Sequence, residues 1–414
     1  MKNIKLHWQV LISMVVGCIL GILLKNMEST VNISPIYECI TLLGTIFIRL
    51  LKMVMVPLIF TSIIMGVSSI GSGKKVGRIG IKTFLYYLLT SLLAIITGLF
   101  LSNILKPGVG ANIVENASFD PSKIQMPGST LDILIRMIPT NPINALANGD
   151  MLSIIFFAIF FGLALNMIDQ DKSKLLKGFI ESIFNVIMKI TQIVISLAPI
   201  GVLGLMTKTV YSSGLDIFIN LAKYMLTIAL GLSIHLFITL PIIVFLLVRI
   251  NPIKHFRAMG SAMLTAFSTS SSNATLPVTI KCVRENVKVS NEVTSFVLPM
   301  GATINMDGTA LYECAGVLFI AQVLGVAMGI EQQLIIVLTA LLASIGAAGI
   351  PSAGLVMIFI VTSAVGLTDP QVGIIVGSML AIDRPLDMFR TMVNVTSDSV
   401  GAAVIATSEG EDLY

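Results

Sequence analysis

The sequence predicts an all-α polytopic membrane protein, and three observations predict it. Of 414 residues, 55% are hydrophobic and only 12% are charged, whereas soluble domains carry about 25% charged residues. The mean hydropathy is +0.95. Apolar runs recur along the whole chain, several longer than the roughly 20 residues a helix needs to cross a bilayer. The net charge of +4 does not point to nucleic acid, because the basic residues sit in short clusters between apolar runs. Cys18, Cys39, Cys282 and Cys314 lack metal spacing and read as buried thiols with no disulfide framework. The three histidines are equally dispersed, which argues against a metal centre or a Cys/His catalytic pair.

Taken in order, Lys2, Lys5 and His7 precede an apolar run from Val10 to Leu24, and Lys25 follows at once. This reads as a membrane helix; no small-residue cleavage site marks a signal peptide. Further apolar stretches lie near 40–70, 83–105, 151–168, 178–206, 217–248, 293–328, 334–366 and 371–407. Basic clusters stand at the amino terminus, at Lys74, Lys75, Arg78 and Lys82, at Lys172, Lys174 and Lys177, at Arg249, Lys254 and Arg257, and at Lys281, Arg284 and Lys288. The segment from Gly108 to Asn144 is long, polar and carries Glu115 and Asp120. The positive-inside rule places the basic clusters and the amino terminus in the cytoplasm and this loop outside. A multi-pass protein of the cell's inner (plasma) membrane is expected.

The clusters at 249–257 and 281–288 are both basic, so the segment between them starts and ends on one side. Its centre, Ser268 to Pro277, is rich in hydroxyls. A re-entrant hairpin fits, with two half-helices meeting at the tip; a flexible surface linker is the competing reading, but Ala266-Phe267 and Leu276-Pro277-Val278 bound the run. A second interrupted segment, Ser344 to Gly354, has non-basic flanks and should enter from outside. Two hairpins of opposite entry, each followed by a long helix, form an inverted repeat, the sequence pointer to a transporter site near the midplane. Half-helix amino termini at the tips would offer N–H groups and positive dipole ends to an anion. Between the hairpins, Gly301 to Thr309 breaks an apolar helix; Asn305 and Asp307 add hard oxygen ligands suited to a small cation. A kink whose polar groups satisfy one another is the alternative.

The last run carries Asp383, Asp387, Arg390, Thr391, Asn394 and Asp398. At about 100° per residue these fall within an arc of roughly 100° on one helix face. The opposite face carries Met388, Met392, Val393 and Val395. A charge at membrane depth costs about 2.5–3.5 kcal/mol on insertion scales. The stripe therefore reads as a binding or ion-conducting face turned to a polar interior, rather than as an amphipathic helix on the membrane surface.

Together these motifs resemble the glutamate transporter family, the dicarboxylate/amino acid:cation symporters. The serine-rich tip, the N-M-D-G-T segment, the A-G-I-P tip and the D-x-x-x-D-x-x-R-T-x-x-N-x-x-x-D helix occur here in the family order. The resemblance implies a homotrimer in the lipid bilayer, each protomer with eight transmembrane helices and two opposed re-entrant hairpins, working as an elevator. It divides the chain into scaffold helices over 1–80, a transport-domain helix over 81–106, an outer loop and scaffold helices over 107–214, and a transport helix over 215–250. The first hairpin then covers 251–290, the broken helix 291–330, the second hairpin 331–368, and the last helix 369–414.

By position, the resemblance implies that Arg390 pairs with a substrate side-chain carboxylate, which its planar fork suits. Asp387 would hold the α-ammonium, with Thr391 beside it, and Asn394 and Thr309 would bond carboxylates. Backbone at Ser271, Ser272, Ile350 and Gly354 would close the tips. Having both Arg390 and Asp387, the chain looks like a carrier of acidic amino acids, glutamate or aspartate, rather than of neutral amino acids or C4-dicarboxylates. Sodium is the implied transported ion, with no organic cofactor. One site would use Gly301, Asn305, Asn394 and Asp398; a second Thr303, Ser344, Ile345 and Ala347; a third Tyr87, Thr90, Ser91, Asn305 and Asp307. On physics alone the hydroxyls of Tyr87, Thr90 and Ser91 are equally good helix-packing groups. Neither Ser270 nor Met388 is basic, as members elsewhere in the family are; Arg384 is a spare cation expected to pair with Asp383, reach Glu313 or snorkel to the interface. Glu313 matches a glutamate implied in proton coupling, and burial disfavours an ionised carboxylate; neutralisation by Arg384 or a hydroxyl is the alternative. An ion channel would share the polar face but need no substrate. An intramembrane enzyme lacks support, because the serines at 270–272 have no paired base.

Overall fold

The computed structural model describes residues 6–27, 33–68, 74–111, 135, 138–214, 217–346, 353–367 and 370–413. Among the described residues the regular structure is all helical, without strands. Among the described residues, five helices are long and apolar enough to cross a membrane: Trp8–Met27, Ser34–Ser68, Arg78–Leu105, Gln170–Ser196 and Phe218–Val248. Ser153–Leu165 and Ile330–Ile345 are shorter apolar helices.

The first three helices are α1 (Leu6–Met27), α2 (Ser34–Ser68) and α3 (Lys74–Leu105). A short α4 (Pro142–Asn148) is capped by Asn141, whose side chain accepts from the amides of Ile143 and Asn144, and is stopped by Gly149 at φ 68°. α5 (Met151–Leu165), α6 (Gln170–Ser196) and α7 (Ala198–Ser213) follow. The apolar run read as one stretch over 178–206 is in fact two helices, parted at Leu197 just before Ala198-Pro199. The proline explains the boundary, since it supplies no amide to the preceding turn.

α8 (Ile217–Ile234) continues to Val248 through two wider π-helical turns, His235–Thr239 and Val244–Val248, around Leu240–Ile243. Pro241 lies between them. It cannot donate to the preceding turn, and such gaps are where helices widen. α9 (Pro252–Thr269) and α10 (Ser272–Cys282) form the first hairpin. Ser270 adopts a left-handed conformation at φ 50°, and Ser271 caps α10 by accepting from the amide of Ala274. The hydroxyl-rich run is thus a helix–turn–helix tip, not a linker.

α11 (Asn291–Ile304) and α12 (Asp307–Val323) meet at a break of two residues, Asn305 and Met306. The break is narrower than the sequence suggests: Gly301 still belongs to α11, and Thr309 already belongs to α12. α13 (Ile330–Gly346), α14 (Ala353–Ala364) and α15 (Pro370–Ser408) complete the chain. At 39 residues, α15 runs about 58 Å, nearly twice the ~30 Å hydrocarbon core.

The helices pack in two groups. In the first, α1 packs on α7, and α2 packs on α5, α6 and α7; α3 and α8 to α15 form the other, with α15 against α9, α11, α12 and α8, and α15 and α13 also meet the first group at α7 and α2. Within the first group, α2 and α7 touch backbone to backbone: a Cβ on Gly204 would lie 2.5 Å from the carbonyl oxygen of Ile40 and 2.6 Å from the amide of Gly44. Leu205 sits between the groups, against both Gly44 of α2 and Gly377 of α15. Thr209 and Ser378 share a hydrogen bond of 3.1 Å beside it.

Polarity runs inside out. Asn305, Asp307, Glu313, Asp383, Asp387, Arg390, Asn394 and Asp398 are buried, while Ile12, Leu85, Phe100, Phe179, Phe237 and Leu246 are exposed. Apolar surface spread over several long helices fits lipid, not water. Val393 and Val395 are buried as well, so α15 is enclosed on both faces and is not a surface helix. The thiols depart from expectation: Cys282 and Cys314 are buried, Cys18 is intermediate and Cys39 is exposed.

Candidate functional site

The site is built on α15. Arg390 is 1% exposed, and its Nη2 donates to Asp383 Oδ1 at 3.0 Å and to Asp387 Oδ1 at 2.8 Å. Asp383 and Asp387 precede it by seven and three residues, so helical periodicity stacks all three on one face. The guanidinium carbon lies 3.8 Å from the ring centroid of Tyr312 on α12. On α14, a Cβ on Gly354 would come within 3.4 Å of Cζ and Nη1 of Arg390. The start of α14 therefore lies directly over the guanidinium. Nε and Nη1 of Arg390 are buried and have no hydrogen-bond partner among the described residues. A buried donor left unpaired is costly, and these two mark where an acceptor belongs.

Arg384 does not pair with Asp383 or Glu313, as the sequence suggested. Its Nη1 lies 3.6 Å from Asp387 Oδ2. Asp387 thus sits between two guanidiniums, and Asp383, Arg384, Asp387 and Arg390 balance formally. The hydroxyl of Thr391 donates to the Asp387 carbonyl at 2.8 Å within its own helix.

One turn further on, Asn394 joins α15 to the break. Its Oδ1 accepts from the amide of Gly308 at 2.8 Å, and its Nδ2 reaches Met306 Sδ at 3.2 Å and Thr309 Oγ1 at 3.4 Å. Met306 provides no side-chain cap for α12, so Asn394 supplies an acceptor to that amino terminus from another helix.

Below it lies a second polar cluster. Asn305 Nδ2 donates to Asp398 Oδ1 at 2.8 Å, while Asn305 Oδ1 is buried without a partner among the described residues. Gly301 is forced: a Cβ there would fall 2.5 Å from Asp398 Oδ1 and 2.6 Å from the Tyr87 hydroxyl. That hydroxyl donates to the carbonyl of Val297 at 2.9 Å. A third cluster surrounds Asp307: Ser91 Oγ donates to Oδ1 at 2.6 Å, Ser397 Oγ donates to Oδ2 at 2.6 Å, and His235 Nε2 lies 3.1 Å from Oδ2. Carboxylate, amide and hydroxyl oxygens of this kind are the donors a small hard cation takes. No group of three His, Cys, Asp or Glu with metal-binding geometry occurs among the described residues.

Other expected residues make local bonds. Thr90 donates to the carbonyls of Tyr86 and Tyr87. Thr303 is exposed and bonds to Met300 and Pro299, and Ser344 bonds to Leu341. Ile345 and Ser272 are buried. Ala347 and Ile350 lie outside the described residues. Glu313 is 0% exposed, and neither carboxylate oxygen has a hydrogen-bond partner among the described residues.

Residues 6–408 match the sodium:dicarboxylate symporter family. The chain belongs to that family. Its members are transporters, not enzymes. The chain is 36% identical to excitatory amino acid transporter 3 of Mus musculus, over 98% of this chain and 86% of that one. It is 36% identical to the proton/glutamate-aspartate symporter of Bacillus subtilis, over 97% and 94%, and 32% identical to the proton/sodium-glutamate symport protein of Geobacillus stearothermophilus, over 99% and 96%. In this symporter, sequence reasoning missed the roles of Asp383, Tyr312, His235 and Ser397. The spacing of Asp383 to Arg390 was a usable signal. Tyr312 and His235 come from other helices, and nothing in the linear pattern couples them to α15.

Proposed function

We propose that this symporter imports acidic amino acids, glutamate and aspartate, by secondary active transport coupled to sodium. The carrying observation is the buried Arg390–Asp387 pair, with Nε and Nη1 of Arg390 unpartnered beside Gly354. Arginine takes the side-chain carboxylate, Asp387 takes the α-ammonium, and Asn394 and Thr309 bond the carboxylates. The relatives named as a proton/glutamate-aspartate symporter and a proton/sodium-glutamate symport protein support this choice over neutral amino acids or C4-dicarboxylates.

The clusters at Asp398–Asn305–Gly301 and at Asp307–Ser91 take sodium. Sodium organises the Asn305–Met306 break, and the substrate then joins α15 under α14. Closure offsets the charges, so the loaded part crosses the apolar barrier nearly neutral. Coupling follows because a ligand shifts only an equilibrium whose states it distinguishes. The two helix groups serve as scaffold and moving part of an elevator, in a homotrimer of eight-span protomers in the plasma membrane, amino terminus inside.

One observation favours a second coupling ion. Glu313, buried with both oxygens unpartnered among the described residues, suits a carboxyl that carries a proton. Uptake of labelled aspartate and glutamate into proteoliposomes, with sodium and proton gradients imposed separately, tests both readings. Uptake under sodium alone supports the Asp307 and Asp398 clusters. A requirement for the proton gradient moves coupling to Glu313. No uptake of either amino acid under either gradient refutes the substrate assignment.

A further inference from the structure

Arg390 spends one nitrogen on two carboxylates. Its Nη2 carries two N–H groups; Asp383 Oδ1 and Asp387 Oδ1 lie 3.0 Å and 2.8 Å from it. A bidentate grip on a carboxylate needs Nη2 together with either Nη1 or Nε. Both of those neighbours are unpartnered among the described residues, but each lacks its Nη2 counterpart while the two aspartates hold it. Full capture therefore requires one aspartate to let go. Asp387 is the one a substrate can draw off, because it is the partner of the α-ammonium. Asp383 is 2% exposed and seven residues back along α15.

We propose that Asp383 is a positioning residue for substrate selection: by holding one N–H of Arg390 Nη2, it makes bidentate capture of a carboxylate wait until an α-ammonium draws Asp387 away. Recognition of the two ends of the substrate is thereby linked. An amino acid with an acidic side chain satisfies both conditions. A dicarboxylate without an ammonium leaves Asp387 on Nη2 and meets only a single-donor contact. Asp383 so excludes such dicarboxylates from a site whose arginine would otherwise hold them. This inference rests on the assignment of Arg390 and Asp387 to the substrate.

The test is competition binding of aspartate and succinate to the purified full-length protein in sodium, comparing wild type, Asp383→Ala and Asp383→Asn. Succinate has the two carboxylates and lacks the ammonium. Asp383→Ala frees one Nη2 N–H permanently, so the aspartate-to-succinate affinity ratio should narrow by about tenfold, the order of one charge-assisted hydrogen bond. Asp383→Asn keeps an acceptor oxygen and should narrow it less. If Asp383→Ala does not yield folded protein, the Asp383→Asn ratio decides alone: a narrowed ratio supports the role. An unchanged ratio, with both affinities falling in parallel, means a merely structural Asp383 and overturns the inference. Failure of the wild type to bind aspartate refutes the substrate assignment instead.

Discussion

The guanidinium of Arg390 sits over the ring of Tyr312, 3.8 Å from carbon to centroid. Two aspartates hold one edge of the cation, and the ring holds its face. A cation over a ring gains roughly 0.5–2 kcal/mol, more when desolvated. Tyr312→Phe keeps the ring and should leave aspartate affinity within about twofold. Tyr312→Leu removes it and should weaken binding by about tenfold. Equilibrium binding of aspartate in sodium checks both; equal losses would mean that the hydroxyl, not the ring, matters.

Arg390→Ala should abolish aspartate and glutamate uptake, and it should also lower stability. It strands Asp383 and Asp387 as buried carboxylates, a loss of about 3–5 kcal/mol for a broken buried pair. Adding Asp383→Asn should restore part of the melting temperature without restoring uptake. Melting curves and uptake on the single and double variants check this; normal uptake in the single variant would remove Arg390 from the site.

Asp398→Asn should weaken the sodium dependence of aspartate binding by about tenfold or more, because it replaces the carboxylate facing Asn305 and Gly301 with an amide. Titration with sodium at fixed aspartate reads the effect. An unshifted midpoint would exclude Asp398 as an ion ligand.

Glycines separate function from filler. Gly301→Ala places a methyl 2.5 Å from Asp398 Oδ1 and should abolish sodium-dependent binding. Gly178→Ala on α6 meets nothing within 4 Å and should stabilise the helix by about 0.5–1 kcal/mol. Thermal melts with and without sodium distinguish the two.

At the end of α15, Glu409 accepts from Lys82 Nζ at 2.6 Å and from Arg78, both on α3. The bonds from Lys82 and then Arg78 hold its carboxyl below the usual carboxylate range. A depressed folded-state value stabilises above the unfolded value, near 4.3, and that contribution fades as pH falls through the folded value. Glu409→Gln should therefore melt below wild type at pH 7, and the gap should close in acid. A gap that persists at pH 3 would show that packing, not charge, holds this end.

The stripe on α15 was legible because a period of 3.6 registers any polar face, and Asp383 to Asp398 needs no partner to be recognised. The turn at Ser270 and Ser271 was legible too, because a run of hydroxyls bounded by Ala266-Phe267 and Leu276-Pro277-Val278 interrupts an apolar pattern. The parting at Leu197 was not, although Pro199 announces it, because the apolar run continues across it. The break was over-read: Gly301 looks like a breaker in sequence but is small for Asp398 and Tyr87. His235 beside Asp307 was invisible, since a lone histidine in an apolar run acquires its meaning only from the helix packed against it.

Gly44 and Gly204 bring the α2 and α7 backbones into direct contact, with α1 laid along α7. Side chains can ratchet past one another by changing rotamer, but touching main chains have no such freedom. In the elevator proposed above, these helices are the stator. In that proposal the stroke runs along the apolar seam where Leu205 meets Gly377, and a bulky residue at Gly204 would spread the frame first.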